Sequence, residues 1–103
     1  MSEKEKILDI AMNLNRVGNW AADDYSAKRK RISTFLDQTS DYLDSVDLTY
    51  LPPKVKKPLQ SLIVKFSSLK EEGENGPKDR LDWAEKMMTW GNILTHRANL
   101  ISQ

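Results

Sequence analysis

The chain has 103 residues, with sixteen Lys and Arg against fifteen Asp and Glu for a formal net charge of +1, and 39% apolar and 30% charged residues. That length allows one domain, 1–103, around a thin core, and near-neutral charge removes the strong long-range field of a dedicated nucleic-acid binder. There is no cysteine, which excludes disulfides, thiolate zinc sites, iron–sulfur clusters and cysteine nucleophiles together.

At the N-terminus, Met1-Ser2-Glu3-Lys4-Glu5-Lys6 alternates charge where a secretory signal needs a basic start and an apolar run. No uninterrupted apolar stretch approaches a membrane span, so the expected compartment is the cytoplasm, with no membrane partner.

A helical segment near 3 to 46 follows. Advancing 100° per residue from Ile7, positions such as Ile10, Leu14, Val17, Ala21, Ile32, Leu36 and Leu43 fall within one arc of roughly 160° without a phase slip. This phase predicts one continuous helix of about 66 Å. The alternative is a break near Gly18-Asn19, with Gly18 ending one helix and Asn19 capping the next, which would give a four-helix bundle.

Asp47-Leu48-Thr49-Tyr50-Leu51-Pro52-Pro53 ends the first segment, because paired prolines restrict the residue before them to extended geometry. A second helix near 57 to 72 carries Leu59, Leu62, Ile63, Phe66 and Leu69 on one face, with Val64 its only stray. Gly73-Glu74-Asn75-Gly76-Pro77 then punctuates, and a third helix runs near 77 to 101. Its apolar arc is wide: Trp83, Met87, Trp90 and Leu94 on one broad face, Ile93 and Leu100 about 80 to 100° to the side. Nothing alternates with period two for long enough to make a strand. The predicted fold is an all-α up-down bundle, a long N-terminal helix followed by a shorter helical hairpin.

Length arithmetic carries a consequence for assembly. The two later helices, about 24 and 37 Å long, would leave much of a 66 Å helix uncovered, so a second copy of the chain is the expected cover, as a homodimer or larger.

Catalytic chemistry finds little support. The single histidine, His96, has no carboxylate three or four residues away to orient it or share a metal. Asp23 and Asp24 are adjacent and diverge on a helix; Asp37, Asp41 and Asp44 form a solvated face. Gly73 to Lys78 lacks the strand and the spacing of a phosphate-binding loop. No catalytic residue, metal ligand or cofactor is assigned.

The conspicuous charged feature is Lys28-Arg29-Lys30-Arg31, four successive helical residues that make a collar rather than a stripe along a phosphate backbone. It is the candidate basic patch of the secondary reading, a nucleic-acid-associated accessory protein, which the neutral overall charge disfavours. The primary reading is a small cytoplasmic protein without enzymatic activity that acts through contacts with itself and another protein. Trp20, Trp90, Ile93 and Leu100 are its candidate interface, since Trp is enriched where one end must stay wet.

Overall fold

In a computed structural model that describes residues 1–101, the chain is an all-α up-down bundle with a long N-terminal helix, α1 (Glu3–Ser45), followed by a shorter helical hairpin, α2 (Pro53–Asn75) and α3 (Arg80–Ala98). α1 and α3 start where a side chain supplies a cap. Ser2 and Glu5 form a reciprocal capping box at α1, and the Asp79 carboxylate accepts from the Asp82 N–H at 3.0 Å to start α3. The start of α3 at Arg80 corrects the reading that used Pro77 as its first turn. α2 begins four residues earlier than expected, because Pro53 suits the first helical position, where no N–H is needed. Gly76, at φ +95°, follows α2 in a conformation that favours glycine.

The straight 66 Å rod is not found. Asp24 leaves helical geometry (φ −154°, ψ 86°), and its Oδ1 accepts the Ala27 N–H at 3.2 Å, so it caps a new helical arm within α1. The two arms, 3–23 and 25–45, run back to back: Glu3 Oε2 accepts the Asp47 N–H at 2.7 Å, and Lys6 Nζ donates to the Ser45 carbonyl at 3.2 Å. The longest dimension of the molecule is accordingly 39 Å. Neither is the break at Gly18-Asn19, since both residues are helical and Gly18 is buried. The apolar phase survives the fold-back because each arm needs its own buried face and the single hinge residue inserts no extra position into the count.

The arms, α2 and α3 make four antiparallel rods around one core. In the first arm Ile7, Ile10, Leu14 and Val17 are fully buried, as are Ile32 and Leu36 in the second, Leu59 and Leu62 in α2, and Trp83, Met87 and Leu94 in α3. The uncovered half of α1 that called for a second copy is therefore covered by the same chain, and closing the core is no longer a reason for self-association.

The first arm and α3 approach most closely. A Cβ on Gly18 would lie 2.8 Å from the Ala84 carbonyl oxygen, and one on Gly91 2.9 Å from that of Ala11. These two glycines set the distance between the helices and the height at which α3 docks.

Two outcomes follow for stability measured by urea unfolding. Asp24→Ala should cost about 1 kcal/mol through the lost cap, while Asp23→Ala should change stability by only a few tenths, about 0.5 kcal/mol at most. Gly91→Ala should destabilise despite a helix-propensity gain of about 1 kcal/mol, because overpacking against a backbone carbonyl costs roughly 1–3 kcal/mol.

Candidate functional site

The basic run lies just after the Asp24 hinge, beside the C-terminal end of α2. The last carbonyls of a helix have no intrahelical donors, and here the second arm supplies them. Tyr25 Oη donates to the Gly73 carbonyl at 2.5 Å, and Arg29 Nη2 donates to that of Glu74 at 2.9 Å. The Arg29 guanidinium also lies over the Tyr25 ring, and that of Arg31 lies over Trp20, 5.5 Å from the ring centroid. Lys28 is half-buried and Lys30 exposed. Both arginines of the collar are thus engaged within the molecule.

Trp20 packs edge-on against Phe35 at 4.9 Å between ring centroids, joining the two arms. The line between the arms lies across the bundle from the line between α2 and α3, so the structure separates Trp20 from the other candidate interface residues. Trp83 is fully buried; its Nε1 donates to the Leu69 carbonyl at 3.0 Å, and the benzo edge of its ring lies against the bare Cα of Gly73.

Of the remaining candidates, Trp90 lies on the α2–α3 side. Trp90 and Ile93, three residues apart on α3, are both half-buried, and Leu100, beyond the end of that helix, is exposed. Next to Trp90 opens a hollow of about 530 Å³ lined by Val64, Lys65, Ser68, Leu69, Lys86 and Trp90. Lys65 Nζ lies over the Trp90 ring, 5.6 Å from its centroid. Val64, the stray of the second helix, is 81% exposed at this edge.

Towards the other end of the same line is a hollow of about 460 Å³, lined by Pro53, Lys54, Lys57, Pro58 and Arg97. Pro58, inside α2, has no N–H to give to the carbonyl four residues back. That carbonyl belongs to Lys54, and Arg97 Nη1 donates to it at 3.1 Å. The proline and the arginine therefore tie the two helices together where the α2 ladder lacks a bond. Sequence reasoning placed neither Val64, Lys65 nor Lys86 at a site; their shared signal is an exposed flank beside the apolar stripe, visible only once α2 and α3 are paired.

On the opposite side of α2, Lys70 bridges Glu74 at 2.9 Å and Asp37 at 3.0 Å. Hydrogen bonds that the Lys70 ammonium donates to Glu74 and then to Asp37 hold its pKa above the ordinary lysine value. Its stabilising contribution is complete below the usual lysine range and is lost as pH rises through the raised value. Both partners keep solvent access, so this is a small structural tie.

His96 is exposed near the end of α3. Among the described residues, no three His, Asp or Glu side chains gather closely enough to hold a metal ion, and no helix is long and apolar enough to cross a membrane. Comparison with protein-family models, curated proteins and solved structures finds no match to this chain.

Urea unfolding distinguishes the two kinds of basic residue in the collar. Arg29→Ala should lose about 1 kcal/mol by uncapping α2, whereas Lys30→Ala should stay within about 0.5 kcal/mol of the parent. His96→Ala should leave the unfolding midpoint and any partner binding nearly unchanged; loss of a bound metal or of an activity in cell extract on that substitution would assign the residue a role.

Proposed function

We propose that the chain is a small cytoplasmic, non-enzymatic helical module that works by docking another protein on its α2–α3 face. One observation carries this reading: Val64, Leu69 and Trp90 line a partly open hollow along that face, and Ile93 is half-buried three residues beyond Trp90 on α3, while the adjoining side of α3, Met87 and Leu94, is fully buried. Scattered surface aliphatics are ordinary; a strip containing a tryptophan beside a hollow is the usual composition of a docking surface.

The non-enzymatic part is supported by the occupations of the carboxylates. Glu3, Asp24, Asp47 and Asp79 accept backbone N–H groups, and Asp37, Glu74 and Asp82 pair with lysines. These are structural assignments for groups that could otherwise serve as acid or base. The nucleic-acid reading rests on the collar, where Arg29 and Arg31 already have intramolecular partners, so docking of a protein is the better-supported function.

Ile93 and its neighbour Leu94 provide the test. Leu94→Asp should lower stability by about 3 kcal/mol or more, as a charge enters the core. Ile93→Asp should cost about 1 kcal/mol or less and leave the helical circular dichroism intact. A photocrosslinker at position 93 should trap a protein in the cells that make this chain, and one at exposed Met12 should not. If Ile93→Asp unfolds the chain as severely as Leu94→Asp, the flank is core and the reading fails.

A further inference from the structure

The two hollows along α2 and α3 share a property that composition does not explain. Their linings contain five cationic side chains, Lys54, Lys57, Lys65, Lys86 and Arg97, and no carboxylate. The chain as a whole is nearly balanced, sixteen positive against fifteen negative residues, so this excess is a local sorting of charge. Asp82 touches the group from outside, paired with Lys86 at 3.2 Å. The hollow on the other face of α2 is mixed instead, Lys70 lying there with Glu71 and Glu74.

Apolar surface runs between the cations. Pro58 lies in one hollow, Val64, Leu69 and Trp90 in the other, and Ile93 is half-buried between Trp90 and Arg97 along α3. From Lys86 to Arg97 the face extends about 16 Å, the length of three helical turns. Two antiparallel helices with an apolar seam and charged margins are the receiving half of a helix-in-groove contact.

Resting on the docking function proposed above, we infer that this groove receives an acidic amphipathic helix of another protein. Its apolar residues, spaced three or four apart, lie against Trp90, Ile93 and Val64. Its flanking carboxylates meet the lysines and Arg97 on the margins, where charge complementarity selects the partner and speeds encounter. A single nucleic-acid strand is the weaker fit: the floor offers one aromatic ring, Trp90, and the rest is aliphatic, whereas strand binding relies on successive ring faces.

The experiment uses the full chain and three fluorescein-labelled helical peptides of equal length. They share leucines at positions one, four and eight, and their flanks are all Glu, all Gln or all Lys. Fluorescence polarisation should show saturable binding of the Glu peptide, at least about tenfold tighter than the Gln peptide, with no saturable binding of the Lys peptide. Lys65→Glu with Lys86→Glu should weaken the Glu peptide by about tenfold or more, while Lys28→Glu with Lys30→Glu should change it less than about twofold. Val64→Asp, at an open position, provides a second groove variant and should also weaken binding; circular dichroism melts verify that each variant folds.

Equal binding of the Gln or Lys peptide, reduced by Val64→Asp, would overturn the acidic partner while leaving the docking function intact. Absence of binding by all three peptides up to about 1 mM would remove both. Tighter binding of a fifteen-residue oligo-dT, with displacement of the Glu peptide, would overturn the inference in favour of nucleic acid. Sedimentation equilibrium adds a last arm: self-association at peptide-binding concentrations, abolished by Lys65→Glu with Lys86→Glu, would make a second copy the occupant and overturn a separate acidic partner.

Discussion

One carboxylate at Asp24 turns a helix of 43 residues into two arms and makes everything else in the bundle possible. A continuous helix of that length would extend about 64 Å, well beyond the 39 Å of the molecule. Folded at its middle, it presents two apolar faces to one axis, and the hairpin of α2 and α3 then completes four rods whose neighbours all run antiparallel. The ends of the arms are held by Glu3 on the Asp47 backbone and Lys6 on the Ser45 carbonyl, so the fold-back is fastened at the end opposite the hinge.

With the first arm in place, the rotation of α3 follows from the glycines. Gly18 and Gly91 let backbone approach backbone, which turns the Ala84 and Gly91 side of α3 into the first arm and leaves Trp90, Ile93 and Arg97 on the flank towards α2. The open apolar strip is thus a consequence of close packing elsewhere. A helix seated so tightly on one neighbour cannot also bury the side that turns away from it.

The same bundle meets its backbone obligations with side chains from adjacent rods. Pro58 leaves the Lys54 carbonyl without a helical donor and Arg97 supplies one; the last carbonyls of α2 receive Tyr25 and Arg29. Cations that look like a recognition collar in the chain are in part the capping devices of a neighbouring helix. Their geometry is short-range and directional, which is why linear spacing gives no indication of it.

Helical character, the buried stripe and the two interhelical breaks were legible in the residues themselves, because a period of 3.6 and the geometry of Pro and Gly act over a few neighbours. The offset of Ile93 from the line of Trp83, Met87 and Leu94 was legible for the same reason, whereas Leu100 falls beyond Ala98, the last residue of α3. The fold-back at Asp24 was not, since a capping aspartate and a solvated one look alike until the arms meet. Nor was the charge sorting of the groove, where Lys65 and Lys86 lie twenty-one positions apart in the chain yet line one hollow. Local sterics and hydrophobic periodicity are written along one helix at a time; the company a side chain keeps across a groove depends on the rotation and height at which two helices dock, and those are decided by close packing at Gly18 and Gly91.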